Sequence, residues 1–394
     1  MTTTSQTHDI HAPAVSIVLP AFNAERHIAQ AIQSVLDQTF SDFELIIVND
    51  GSTDATETLI QSFTDARVRY VAQDNQGPSA ARNNALARCT GTHVAFLDAD
   101  DFWYPSRLER QLAYVADRGV RAVFAWVDVI DEDSAILEAS EIGAWFNRNC
   151  PSQAEMVSTF FSIGNFLCIS TGLIERHLLG SVGDFRLTAI QAQDFDLWVR
   201  LVKRERIAIL PEKLVGYRVR KGGSNLTYDR ANVARIRFEI QQIYRVMFDD
   251  MPAALFDAAF PERRRKAQQA SGVTLELEQA FLLLEHSEPY VQHIGLERLY
   301  GLMQDQAVVD EARITFEFSL PDLFALTRGT ALTDATMAAR LEKLEHLRAT
   351  LAWHDDQRQN WQRVAEDREA QIAQPSGSKQ HRLAGSIKHL LLRR

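Results

Sequence analysis

The feature that most constrains this chain is an alternation of short apolar runs with amphipathic segments over roughly its first 220 residues. Runs typical of buried strands begin at Val15, Phe43, Val68 and His93. Between them, apolar side chains recur at helical spacing, as they do over Ile28–Leu36. Strands that alternate with helices of this length form βαβ units and a parallel sheet. The ligand of such a sheet lies beyond the carboxyl ends of its strands.

The alternation has one interruption before about residue 220. From about 131 to 156 the pattern weakens, as expected of an insertion or of an acceptor-facing region. Pro105 begins a further helix, and an apolar strand follows from Ala122. The later segments are predicted as an apolar run at 166–171, a helix at 194–201, and strands at 207–210 and 214–220.

Composition divides the chain into five segments. We predict a polar tail, an α/β domain, a helical appendage, a long amphipathic helix or coiled coil, and a basic amphipathic tail: residues 1–13, 14–224, 225–330, 331–374 and 375–394. The broken apolar seam of 337–372 either packs on its own chain or forms a homo-oligomer through a coiled coil. The tail at 379–394 suits an anionic membrane surface, or it is solvated or bound within an oligomer.

Charge and composition exclude several classes of protein. The formal net charge of −10 argues against a nucleic-acid binder, which needs a basic surface to neutralise phosphates. The three cysteines form no zinc-type cluster, which indicates a reducing compartment. The N-terminus lacks the basic start of a signal peptide, and no apolar run reaches the length of about 18 residues that a membrane span needs. We expect a cytoplasmic protein, with peripheral contact to the inner face of the membrane if the tail binds lipid.

Three carboxylates follow the strand that ends at Leu97. Asp98, Asp100 and Asp101 lie within four residues and would repel one another without a cation. Mg²⁺ and Mn²⁺ prefer such oxygen ligands and leave coordination positions for phosphate oxygens. With one residue between them, Asp98 and Asp100 can face the same site. The alternative is a loop that caps the next helix, with Asp101 as an N-terminal anion near Pro105.

Two further polar residues lie where a ligand is expected. Asp50 ends the second strand, where its carboxylate either accepts a hydrogen bond from a base or ribose or caps the following turn. Arg82 lies one turn into a helix and directs its guanidinium back toward the strand ends. This side chain either forms a buried salt bridge or contacts a nucleotide.

Five segments, in order and at the right spacing, resemble the large family 2 glycosyltransferases. They are residues 15–25, 36–54, 75–83, 98–101 and 193–198. The resemblance covers about the first 220 residues and says almost nothing about 225–394. It implies the GT-A fold, which is a Rossmann-like mixed sheet flanked by helices, here followed by a mostly helical C-terminal region.

The resemblance also implies roles for individual residues. The nucleotide sugar would be bound by Pro20, Ala21, Phe22, Glu25, Asp50, Arg82, Asp98, Ala99 and Asp100. Among them, Asp100 is the expected direct ligand of Mn²⁺ or Mg²⁺, with Asp98 beside it. Asp194 matches the catalytic base, although Gln193 stands where Glu commonly precedes that residue. Asp196 is expected to orient the helix instead of acting as the base.

The implied reaction is a metal-assisted single displacement with inversion at the sugar carbon. The implied partners are a nucleoside-diphosphate sugar, with UDP expected, and a glycan or glycolipid acceptor of surface polysaccharide or glycolipid synthesis. Residues 217–224, which contain glycines and cations, suit a loop that closes over the diphosphate. Two alternatives stay open. One is a nucleotidyltransferase, and the other is a catalytically inactive nucleotide-binding scaffold of a membrane-associated assembly.

Overall fold

The computed structural model of the chain describes residues 12–138, 140–220, 232–262 and 272–328. The strands are β1 (Val15–Ala21), β2 (Phe43–Asp50), β3 (Val68–Gln73), β4 (His93–Phe96), β5 (Phe102–Trp103), β6 (Ala122–Ile130), β7 (Leu173–Glu175) and β8 (Ile207–Arg218). The helices up to β8 are α1 (Ile28–Leu36), α2 (Thr56–Gln61), α3 (Pro78–Leu86), α4 (Arg107–Arg118), α5 (Glu141–Phe146), α6 (Gln153–Ile163), α7 (Arg176–Val182) and α8 (Gln193–Arg204). Those that follow are α9 (Val233–Val246), α10 (Ala253–Ala259), α11 (Val273–Leu284), α12 (Pro289–Leu302), α13 (Gln306–Phe316) and α14 (Leu320–Arg328).

The strands form one mixed sheet in the order β3-β2-β1-β4-β7-β6-β8-β5. The first four strands in this order are parallel, and β7 then runs antiparallel to both of its neighbours. Strand β2 is buried along its whole length, as expected of a parallel strand covered by helices on both faces. The predicted α/β mixed sheet with a helical C-terminal region is confirmed.

The sequence pattern and the structure differ at β8. The two strands predicted at 207–210 and 214–220 are one strand that runs parallel to β6. The pairing register shifts on either side of Trp126, opposite the segment that contains Pro211. Proline cannot donate to the strand ladder, so the strand accommodates it as an irregularity. In the sequence pattern, this irregularity looks like a break between two strands. The weakly patterned stretch from 131 to 156 contains α5 and the start of α6.

The helical region packs on one face of the sheet through a cluster of aromatic side chains. Phe161 of α6 contacts Phe248, Phe260 and His286, with ring centroids 5.6, 5.3 and 4.9 Å away. The three phenylalanines belong to the same apolar core as residues of the sheet, such as Phe124 of β6. Helices α9 to α12 therefore share a core with the sheet.

Gly295→Ala is expected to destabilise the helical region by about 1–3 kcal/mol, because an added methyl group would overpack it. A Cβ at Gly295 of α12 would lie 2.8 Å from the carbonyl oxygen of Ala280 in α11 and still closer to the backbone nitrogen of Leu284. Gly301 of α12 is the matched control, since its added Cβ would meet no atom within 4 Å. Gly301→Ala should change the free energy of unfolding by less than about 1 kcal/mol. Equal denaturant midpoints for the two variants would contradict the expectation.

Several predicted segments lie outside the described residues. They are most of the 1–13 tail, the boundary at 224/225, and all of 331–374 and 375–394, so the seam at 337–372 and the tail at 379–394 stay predictions. The chain divides after Thr327, and every described residue except Arg328 lies before that division. In the part of the chain that is described, no helix is both long and apolar enough to cross a bilayer.

Candidate functional site

The carboxyl ends of β1, β2 and β4 meet at one edge of the sheet, because β1 pairs in parallel with both of the others. Pro20 and Ala21 end β1, and Ala21 is the register partner of Asn49. Phe22 follows them with 51% of its surface exposed. This edge thus presents an open aromatic side chain beside the loops that follow the strands.

Glu25, which is predicted to bind the nucleotide sugar, contacts the loop that follows β2. Its Oε2 accepts a hydrogen bond from the backbone N–H of Ala55 (2.9 Å), just before α2. The backbone N–H of Glu25 in turn donates to Oδ2 of Asp54 (3.2 Å). A second tie is made by Asn23, whose Oδ1 accepts from the N–H of Thr53 (2.8 Å). The loops after β1 and β2 are therefore fastened to each other.

Asp50 fixes the segment that leads into α3. Its Oδ1 accepts hydrogen bonds from Nε2 of Gln73 (2.7 Å) and the N–H of Gln76 (2.9 Å). Its Oδ2 accepts from the N–H of Gly77 (2.9 Å), a residue whose φ of 89° lies in the left-handed region that favours glycine. Both carboxylate oxygens thus have protein donors. These contacts explain how Asp50 organises the turn. A contact between Asp50 and the nucleotide sugar stays a prediction.

The three carboxylates after β4 have different environments. Asp101 is buried, and it accepts hydrogen bonds from Oγ of Ser170 (2.6 Å) and the N–H of Arg218 (2.9 Å). These contacts do not support the alternative in which Asp101 caps the next helix near Pro105. Both of its carboxylate oxygens accept hydrogen bonds from Ser170 and Arg218 instead. The side chains of Asp98 and Asp100 keep 32% and 21% of their surface exposed, and nearly buried Ala99 lies between them.

Burial and mutual repulsion raise the pKa values of Asp100 and Asp101 in this acidic turn. The pKa of Asp100 lies above its usual value because of burial, and Asp98 adds repulsion, while Arg220 opposes the rise. The Nη2 of Arg220 forms an ion pair with Oδ2 of Asp100 at 2.9 Å. Burial and the charges of Asp100 and Asp98 raise the pKa of Asp101 well above its usual value. An arginine thus offsets part of the negative charge of this turn.

Asp194 lies in the first turn of α8, half-buried. Its Oδ2 accepts a hydrogen bond from Nδ2 of Asn165 (2.8 Å), and its Oδ1 accepts from the N–H of Phe195 (2.7 Å). Burial raises the pKa of this carboxyl to about 6, with Arg82 lowering it and Asp98 raising it. An acid with this pKa is deprotonated at neutral pH and is a stronger base than an ordinary carboxylate.

Asp196, two residues further along α8, has a structural role. Its Oδ2 binds the guanidinium of Arg200 at 2.8 Å, and its Oδ1 lies 3.2 Å from Nη1 of Arg186. The side chain is almost fully buried by these partners. The contacts agree with the expectation that Asp196 orients the helix.

Arg82 connects the acidic turn to α8. Its Nη2 donates to Oδ1 of Asp98 (2.6 Å), in a salt bridge with 5% of the arginine side chain exposed. The side-chain amide of Gln193 is oriented so that both its oxygen and its nitrogen have hydrogen-bond partners. The oxygen accepts from Nη1 of Arg82 (3.0 Å), and the nitrogen donates to the carbonyl of Ile190 (2.6 Å). Gln193 therefore meets Arg82 as a neutral acceptor. A nucleotide contact of Arg82 stays a prediction.

Sequence reasoning missed the residues that hold these groups in place. Ser170 donates to Asp101 and accepts from the N–H of Asp98 (3.1 Å), and Asn165 binds Asp194. Arg218 is buried at the end of β8 and donates from Nε to the carbonyl of Asp100 (2.7 Å). Arg218 falls in both the predicted strand 214–220 and the segment 217–224 that suits a closing loop, and its burial makes it part of the framework. Residues 221–224 of that loop are outside the described residues.

Asp98 and Asp100 offer carboxylate oxygens, the kind of ligand that Mg²⁺ and Mn²⁺ prefer. In this structure each carboxylate pairs with an arginine, Asp98 with Arg82 and Asp100 with Arg220. Over the described ranges, no group of three or more His, Cys, Asp or Glu side chains is arranged to bind a metal. Mg²⁺-type sites need no such cage, because one or two carboxylates suffice when substrate phosphates complete the coordination.

Comparison with known proteins assigns the part of the chain that carries the acidic turn to a family. Residues 16–176, which include β1 to β4 and the acidic turn, match the profile described as "Glycosyl transferase family 2". They belong to glycosyltransferase family 2. The family 2 domain is similar to the putative teichuronic acid biosynthesis glycosyltransferase TuaG of Bacillus subtilis, at 39% identity over 32% of this chain and 51% of that protein.

A second curated relative is the UDP-Glc:alpha-D-GlcNAc-diphosphoundecaprenol beta-1,3-glucosyltransferase WfgD of Escherichia coli. It is 27% identical over 50% of this chain and 72% of its own length. This chain also spans 30% of a similar Rickettsia bellii protein and 65% of a similar Rickettsia prowazekii protein.

Solved structures extend the similarity of the family 2 domain to its fold. S. aureus TarS 1–349, solved with UDP-GlcNAc, has a TM-score of 0.50 and 18% identity, over 76% of this chain and 91% of that one. The mannosyltransferase PcManGT of Pyrobaculum calidifontis, solved with GDP-Man and Mn²⁺, has a TM-score of 0.50 and 19% identity, over 84% and 85%. The fold is GT-A.

Proposed function

We propose that this chain is an inverting glycosyltransferase that moves a sugar from a nucleoside-diphosphate sugar to an acceptor hydroxyl. The observation that carries the proposal is the bridge made by Arg82. It joins Asp98 of the acidic turn to Gln193, the neighbour of Asp194. Glycosyl transfer needs a diphosphate-binding turn and a base in one site, and this bridge couples the two. The family 2 match of residues 16–176 supports the same class of reaction.

Asp194 is the proposed base. An acceptor hydroxyl is a poor nucleophile near neutral pH, so a carboxylate must remove its proton as the attack on the sugar carbon develops. The pKa of about 6 makes Asp194 suited to that task. Its hydrogen bonds from Asn165 and the N–H of Phe195 hold the carboxylate in one orientation. One base supports single displacement, and hence inversion.

Asp100 and Asp98 are the proposed ligands of Mn²⁺ or Mg²⁺. When bound, the cation supplies positive charge that stabilises the departing nucleoside diphosphate. To take that role, Asp100 must exchange its ion pair with Arg220, whose guanidinium would then lie close to the diphosphate. Such a guanidinium suits phosphate oxygens, because its N–H groups form a planar fork.

The proposed donor contacts are the exposed ring of Phe22 and the strand-end residues Pro20 and Ala21 beside it. An aromatic side chain at the strand ends offers an apolar surface to the donor's base. UDP is the proposed nucleotide, in line with the UDP-Glc of the WfgD name. The proposed acceptor is a glycan or glycolipid of cell-surface polysaccharide synthesis, in line with the names of TuaG and WfgD.

The proposed location is cytoplasmic, with residues 379–394 as a peripheral contact to the inner face of the membrane. The charge and apolar content of that tail support this proposal. A homo-oligomer through 337–372 is a separate proposal, and it is supported by the heptad-like spacing of leucines.

The decisive test is calorimetric binding of UDP, GDP, CDP and dTDP, each with Mn²⁺ and with EDTA. We expect one nucleotide to bind in a metal-dependent manner, and Asp100→Ala to weaken that binding at least about tenfold, because a direct ligand is lost. Asp133→Ala is the matched control, since this carboxylate is 78% exposed and lies outside the site. It should bind the nucleotide as the wild type does.

The same experiment separates the two alternatives. Binding of none of the four nucleotides would overturn the proposed function, and binding without any sugar transfer would indicate the inactive nucleotide-binding scaffold. Metal-dependent binding together with formation of a nucleoside-diphosphate sugar from a nucleoside triphosphate and a sugar phosphate would identify a nucleotidyltransferase instead.

A further inference from the structure

Glu239 of α9 reaches from the helical region to the segment in front of Asp194. Its Oε1 accepts a hydrogen bond from the N–H of Ile190 (3.0 Å). Its Oε2 accepts from the N–H groups of Gln191 and Ala192, both at 2.8 Å. Three consecutive backbone donors thus converge on one carboxylate, and the glutamate is 7% exposed.

This carboxylate replaces a cap that the local sequence lacks. The N-cap residue of α8 is Ala192, and no side chain caps the helix locally. The N-terminal end of a helix carries partial positive charge and unpaired N–H groups, so a carboxylate there forms charge-assisted hydrogen bonds. Glu239 supplies it from a position 47 residues further along the chain.

The same segment is held on its other side by α3, the helix that carries Arg82. Oγ of Ser79 donates to the carbonyl of Ala189 (2.7 Å). Asn83 binds Phe185 twice, with Nδ2 donating to its carbonyl (2.8 Å) and Oδ1 accepting from its N–H (2.9 Å). Residues 185–192 are therefore clamped between α3 and α9, and Asp194 lies two residues beyond the clamp.

We propose that Glu239 is a positioning residue for Asp194. By fixing the three amides before α8, it holds the Asp194 carboxylate at a set position relative to the acidic turn, which makes the helical region a component of the active site. The catalytic meaning of this inference rests on the proposed function, since it requires that Asp194 act as a base. A displacement of about 1 Å at such a group can cost about 10²-fold in rate.

Glu239→Gln tests the inference, because the amide group puts a donor where backbone N–H groups already point. We expect kcat for turnover of the sugar nucleotide to fall about 10- to 100-fold. The dissociation constant of its nucleoside diphosphate should be unchanged. Hydrogen–deuterium exchange, measured without substrate, should become faster at the amides of 190–195 and stay unchanged in α3. Glu239→Asp, which keeps a shorter carboxylate, should lose less activity than Glu239→Gln.

Glu297→Gln is the matched control. It removes an exposed ion pair between α12 and Arg245, which lies on the same helix as Glu239. Neither kcat nor exchange at 190–195 should change in this variant. Unchanged exchange in Glu239→Gln would overturn the inference, and so would faster exchange with unchanged kcat, which would leave Glu239 with a structural role alone. If the wild type turns over no sugar nucleotide, the proposed function is overturned. Hydrogen–deuterium exchange at 190–195 would still decide whether Glu239 holds the segment before Asp194.

Discussion

Asp194→Asn is expected to lower kcat for sugar transfer by about 10²–10⁴-fold, the contribution typical of a positioned base. An amide of nearly the same shape cannot accept the proton of the acceptor hydroxyl at neutral pH. Binding of the nucleoside diphosphate should be nearly unchanged, because Asp194 is proposed to contact the acceptor. Single-turnover rates and calorimetry on the same preparation separate the two quantities.

Asp196→Asn is the control for this prediction, because it alters a carboxylate on the same helix. It weakens the ion pairs with Arg200 and Arg186, so it should lower the melting temperature. The kcat of the folded protein should stay within about tenfold of the wild type, since no proton transfer is lost. A loss of nucleotide binding in Asp194→Asn equal to its loss of kcat would refute the assignment of the base.

The pH dependence of the reaction follows from the same residue. Burial raises the pKa of Asp194 to about 6, and only the deprotonated form accepts a proton. Activity should therefore be full above that pH and should fall about tenfold per pH unit below it. A pH–rate profile that stays flat down to about pH 4, near the pKa of an ordinary Asp, would contradict the role of Asp194.

Arg218→Met is expected to destabilise the protein by about 3–5 kcal/mol, as removal of one member of a buried charged network does. The Arg218 guanidinium donates to the carbonyls of Asp100 (2.7 Å), Asp131 (2.8 Å) and Glu132 (3.0 Å). It also donates to Oε1 of Gln30 at 2.7 Å. Methionine fills part of the volume but leaves these buried acceptors without a donor. Chemical denaturation measures the difference in the free energy of unfolding.

Arg110→Met is the matched control for Arg218→Met. Arg110 forms an ion pair with Glu212, and 53% of its side chain is exposed. Exposed pairs contribute little, so this variant should change the free energy of unfolding by less than about 1 kcal/mol. If both variants unfold at the same denaturant concentration, the buried network of Arg218 does not stabilise the fold.

Some residues could be assigned to the site region from sequence because their positions follow from strand ends. Asp50 and Asp98 come directly after apolar runs, and parallel neighbouring strands bring such ends to one edge. What each carboxylate contacts could not be derived in the same way. Asp50 and Glu25 bind backbone N–H groups of neighbouring loops, and those loops approach only after the strands have paired.

The buried members of the site had no signal in the sequence. Arg218 lies in a stretch whose glycines and cations indicate a loop, yet it is buried, because the acidic turn and residues 131–134 surround it. Asn165 and Glu239 stand in no pattern that links them to Asp194. Their roles depend on contacts across 29 and 47 or more residues of sequence.

The sequence by itself determined the alternating strand and helix order, the sheet edge at which the predicted site residues lie, and the family of residues 16–176. These follow from local periodicity and motif order, which act over a few residues at a time. Tertiary structure alone decided which carboxylates are exposed, that burial raises the pKa of Asp194 to about 6, and that Arg82 and Glu239 contact the residues just before Asp194. Burial and hydrogen-bond geometry set those properties, and both depend on side chains that are distant in sequence and adjacent only in the folded chain.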